Sequence, residues 1–137
     1  MSGLERIAVL ITLIDRLCAV MAQENDHVRR MAIDRIGEVQ DEKRLLAEAY
    51  EKELGALRRR PEMLGGLPME ARRQLEEAMR RLQAASRRNA DVLLAAKTVT
   101  ERLLRRVADA LAAEPRGAAR PPVHGGRVIA VSFDRHV

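Results

Sequence analysis

The chain has 137 residues, with 25 Lys and Arg against 20 Asp and Glu, one Tyr, one Phe and no Trp. Its apolar residues, 47% of the total, are nearly all non-aromatic. They can pack helices together but lack the rings that line a deep pocket, which argues against an enzyme. Charged residues at 33%, set at helical spacing, point to long helices and not to disorder.

Ser2-Gly3-Leu4-Glu5 has the form of a capping box, in which hydroxyl and carboxylate each satisfy a free amide at a helix start. Ile7, Leu10, Ile14, Leu17, Met21, Val28 and Met31 then follow a three-four spacing along one helical stripe. After Ala32 the stripe slips by a four-residue step and resumes through Ile36, Val39, Leu46, Tyr50 and Leu57. No proline interrupts before Pro61, so the pattern predicts one helix over about residues 3–59, with Gly37 as a candidate bend. Pro61, Gly65, Gly66 and Pro68 mark a turn. A second stripe runs through Leu75, Met79, Leu82, Ser86, Asn89, Leu93, Ala96, Thr100, Leu103, Val107 and Ala110, predicting a helix over about 69–113 that Pro115 ends. The expected fold is all-α: a long antiparallel hairpin over residues 1–113, with a three-helix bundle folded over at residues 22–27 as the alternative. Residues 114–137 form an irregular, Pro- and Gly-rich tail. It holds one short extended segment, with Ile129, Val131 and Phe133 on one face as a candidate docking strand.

Little in this sequence carries chemistry. Net charge is zero over residues 1–60, +2 over 61–114 and +3 over 115–137, so the basic excess is spread and makes no concentrated nucleic-acid patch. Arg73, Arg80 and Arg87 recur every seven residues, flanked by Arg72, Arg81 and Arg88. Glu76 and Glu77 precede Arg80 and Arg81 by four residues, and no aromatic is at hand to stack on bases, so a solvated face is expected. Glu24 and His27 share the Glu-x-x-His spacing of di-iron helices, but the second helix has no histidine. A solvated polar notch is expected there, with no metal and no cofactor. Gly65-Gly66 lacks the Lys-Ser/Thr of a phosphate loop.

The lone Cys18 excludes an internal disulfide and fits a buried, inert thiol in a reducing compartment. The longest apolar run, residues 7–14, is too short to cross a bilayer, and Glu5 offsets Arg6 where a signal peptide wants net positive charge. A cytoplasmic location without stable membrane insertion is expected. Residues 7–14 carry more apolar surface than one partner helix covers, which calls for a third helix, a second subunit or a cargo. Ser86, Asn89 and Thr100 put polar groups on the inner seam, where they weaken packing but can fix register or leave a segment able to open.

Three stretches resemble the FlgN family of flagellar type III export chaperones. One is the early helix from Leu17 ending in Gln23-Glu24-Asn25; another is the charged helix from Glu38 to Glu51. The third is Ser86-Arg87-Arg88-Asn89-Ala90-Asp91-Val92-Leu93-Leu94-Ala95-Ala96, similar to the family's Arg-Asn-Gly-x-Leu-Leu segment, with Ala90 where glycine is usual. The resemblance spans about residues 4–113. It implies a non-enzymatic chaperone that binds hook-associated proteins in the cytoplasm, keeps them unassembled and delivers them to the flagellar export apparatus. Carried over by position, cargo contacts would fall on Asn89, Leu93, Ala96, Val99, Leu103, Val107 and Leu111. The family also touches the export gate with a tyrosine near its C-terminus; here no tyrosine follows Tyr50, and Phe133 is the only aromatic left for that contact. The competing readings are a coiled-coil scaffold that forms homo-oligomers through the stripe from Ile7 to Met21, and a small DNA-associated protein suggested by basicity alone.

Overall fold

A computed structural model describes residues 2–113. Four helices follow one another: α1 (Gly3–Arg29), α2 (Ile33–Arg58), α3 (Glu62–Gly65) and α4 (Met69–Ala113). The tail, with the candidate docking residues Ile129, Val131 and Phe133, lies outside the described residues.

The capping box forms as the sequence predicts. Ser2 Oγ accepts from the Glu5 amide at 3.2 Å, and Glu5 Oε2 accepts from the Ser2 amide at 3.3 Å. The single helix expected over residues 3–59 does not form. α1 stops at Arg29 and the chain reverses, so the break falls at residues 30–32, neither at 22–27 nor at Gly37. The Met31 amide donates to the Val28 carbonyl and the Ala32 amide to the His27 carbonyl, while Met31 takes a left-handed φ of 55°. This is a Schellman closure with methionine where glycine is usual, so no glycine signalled it.

α1 is the central helix, packed against both α2 and α4. Arg6 meets Glu53 and Arg16 meets Glu42, so α1 and α2 are antiparallel. Asp15 meets Arg81 and Glu24 meets Asn89, so α4 runs parallel to α1 and antiparallel to α2. The bend therefore turns the two-helix hairpin into a three-helix bundle. It also answers the apolar excess of residues 7–14: Ile7, Leu10, Ile14, Leu17 and Met21 are buried with Tyr50, Leu54 and Leu57 of α2 and with Leu75 and Ala78 of α4. The stripe proposed for self-association is thus covered by the chain's own helices.

The α3 turn closes the base of this core, with Met63, Leu64 and Leu67 packed against it. Gly3 makes that approach possible, since a Cβ there would stand 3.1 Å from Leu67 Cδ2 and 3.2 Å from the Met63 carbonyl. A second, smaller apolar cluster at the far end joins Val28, Ile36 and Leu93, with Val92 and Ala96 against it.

Candidate functional site

The helices differ in length, and the candidate site follows from that. At the usual rise, the 45 residues of α4 span about 67 Å, whereas the 27 of α1 span about 40 Å. Both start from the same end of the bundle, so α4 outruns its cover. Leu93 is its last buried residue, Ala96 packs partly on the second cluster, and every residue from 101 to 110 is exposed. The apolar stripe does not stop where the cover stops. Ala78, Leu82, Ala85, Asn89, Leu93 and Ala96 face the bundle, and Thr100, Leu103, Val107 and Leu111 continue the same three-four spacing beyond it.

Exposure is 61% at Val99, 56% at Leu103 and 40% at Val107, and Leu111 is half-buried. These four residues, with Ala96 at the root, are the expected cargo contacts that stand on an accessible surface. Asn89 and Leu93 are a correction: at 3% and 1% exposed they belong to the bundle interior and reach no partner unless α4 detaches. Leu104, also exposed, was missed, although it stands four residues after Thr100 and three before Val107 on the stripe's edge. Met31 and Ile33, exposed on the α1–α2 turn, add apolar surface at the end of the bundle where α4 leaves it.

A buried polar layer pins α4 just below its exit. Glu24, expected in a solvated notch, is fully buried. Its Oε1 receives Lys43 Nζ at 2.7 Å and Asn89 Nδ2 at 2.8 Å. Asn89 Nδ2 also donates to Asn25 Oδ1 at 2.8 Å, and Lys43 Nζ donates to Asn89 Oδ1 at 3.2 Å. One residue from each long helix thus converges on a single carboxylate, whose other oxygen, Oε2, has no partner among the described residues. A register role for Asn89 has this physical basis: any slip of α4 leaves its buried amide unmatched and takes one hydrogen bond from the Glu24 carboxylate, which keeps only Lys43. Lys43 was not legible as a member of the layer, because 19 residues separate it from Glu24 and 46 from Asn89.

The other polar seam positions are ordinary. Thr100 Oγ1 donates to the Ala96 carbonyl at 3.0 Å, and Ser86 lines a shallow cleft of about 440 Å³ between Tyr50 and the α4 residues Met79 to Arg87. Arg73, Arg80 and Arg81 are exposed and pair with Glu70, Glu76 and Asp15. Cys18 is half-buried; burial first, and Asp15 second, push its thiol above the ordinary value, with Arg81 pulling the other way, so it is a poor nucleophile at neutral pH. Burial likewise raises Tyr50. Among the described residues no three acidic, His or Cys side chains are placed to hold a metal ion, and no helix is long and apolar enough to cross a membrane. No family model, no curated protein and no solved structure matches the chain.

Proposed function

We propose that this protein is a non-enzymatic export chaperone that captures a helical segment of a cargo protein on the uncovered end of α4. The observation that carries the reading is the continuation of the α4 stripe about 25 Å past Ala96 with no other helix among the described residues to cover it. An amphipathic helix laid along Val99, Leu103, Leu104, Val107 and Leu111 would bury what α1 buries lower down, the helix-in-groove mode of recognition. The resemblance to the FlgN family supplies the cargo: hook-associated flagellar proteins, held unassembled in the cytoplasm and passed to the export apparatus. The scaffold alternative has no comparable support, since the stripe it needs is buried in the chain's own core.

Titration calorimetry of the full chain with a purified hook-associated protein tests the reading. Leu103→Asp with Val107→Asp should weaken capture by about a hundredfold or more, because each aliphatic anchor contributes on the order of 1–2 kcal/mol from its half-exposed state and aspartate adds a desolvation cost. Both positions lie beyond the bundle, so its helical signal and melting temperature should hold. Absence of binding by the unmodified chain, or equal binding by the double variant, rejects the proposal.

A further inference from the structure

We infer that the occupant of the α4 overhang is a helix from another protein whose apolar stripe is bordered by acidic residues, a deepening that rests on the reading of this face as a capture surface. Between residues 97 and 113 the charges are Lys97, Arg102, Arg105 and Arg106 against Glu101 and Asp109, an excess of two positive groups. Arg106 stands beside Leu103 and Val107 on one border of the stripe, with Arg102 one turn before it.

On the covered part of α4 the arginines Arg73, Arg80 and Arg81 have carboxylate partners within 4 Å. Arg102 and Arg106 make no ion pair among the described residues. Arg72, Arg87 and Arg88 on the covered part likewise make no ion pair among the described residues, and what sets Arg102 and Arg106 apart is that they border an apolar stripe that stands exposed. A long guanidinium beside an apolar anchor matches a carboxylate arriving on the edge of a docked helix, and that pairing fixes orientation and speeds encounter more than it adds raw affinity.

The two occupants available within the protein itself are mismatched in charge. A second copy presenting the same overhang brings the same positive excess, and residues 115–137 carry a net charge of +3. Only a partner with negative borders is complementary. At about 25 Å the overhang takes a helix of roughly 17 residues.

The test uses three synthetic 18-residue amphipathic peptides with one shared leucine stripe and with border positions all Glu, all Gln or all Lys, titrated calorimetrically into the full chain. The Glu peptide should bind at least tenfold tighter than the Gln peptide and the Lys peptide weakest, and raising salt from 50 to 500 mM should erase most of that spread. Arg102→Glu with Arg106→Glu, both exposed, should invert the order without changing helical content. Equal binding of the three peptides, binding of none, or an unchanged order in the reversed variant overturns the inference. So does a dimer in sedimentation that Leu103→Asp with Val107→Asp dissociates. If the Glu peptide binds and the hook-associated protein does not, the acidic preference stands and the export reading falls. If the charge-reversed chain captures the hook-associated protein with undiminished affinity, the export reading stands and the acidic preference falls.

Discussion

Met31 decides the topology, and it does so against its own preference. A left-handed φ costs a side-chain-bearing residue about 1–2 kcal/mol, which the two closing hydrogen bonds and the docking of α2 on α1 override. Its side chain is 68% exposed, so little packing is lost on truncation. Met31→Gly should therefore raise stability by about 0.5–1 kcal/mol, the relief of strain exceeding the extra freedom glycine brings to the unfolded chain. Urea denaturation should show the midpoint moving upward, and a midpoint that falls would count against a strained closure. The same residue explains why the bend was illegible. Gly37, the obvious breaker, has open space where a Cβ would stand and is tolerated within α2, while the residue that turns the chain has no turn-forming character of its own.

Among the elements, α4 is read differently along its length. Its lower half is fixed by apolar burial and its middle by the Glu24–Lys43–Asn89 layer, while its upper part has no covering helix among the described residues. Such a layer sets register more than it adds stability, because a fully buried carboxylate and a part-buried ammonium repay their desolvation poorly. Lys43→Met should destabilise the fold by about 3–5 kcal/mol, since it strands a fully buried carboxylate, whereas Glu24→Leu combined with Lys43→Met should recover most of that loss. Thermal melts of both variants decide it: a double variant no better than the single one would show that the pair contributes more than its desolvation cost. The three-four spacing of α4 was plain in the sequence, and so was the inward position of Asn89. What Asn89 bonds to was not, because its partners lie 46 to 65 residues away and meet only once the bend exists.

At the scale of the molecule, helical class, the Pro61 to Pro68 turn and the end of the second stripe follow from patterns within a few residues, and these the sequence showed. The parallel placement of α1 and α4 depends on contacts such as Gly3 with Leu67 and Asp15 with Arg81, which no local spacing encodes. The candidate site inherits this split. The stripe was legible, but its division into a covered and a bare part depends on where α1 and α2 end. Amide exchange should report that division directly: protection over residues 72–93 should exceed that over 100–113 by at least about a hundredfold, and uniform protection along α4 would contradict it. Residues 97–113 would make a marginal helix as a free peptide, since starting a helix is the unfavourable step. Here the bundle holds the turns below, so the start is already made and only propagation remains. The bare end can melt from Ala113 downward and re-form in sub-microsecond steps without ever losing its nucleus. An arriving partner has only to suppress that fraying, not to induce a helix, and the entropy it must remove is set by how many turns lie beyond Ala96.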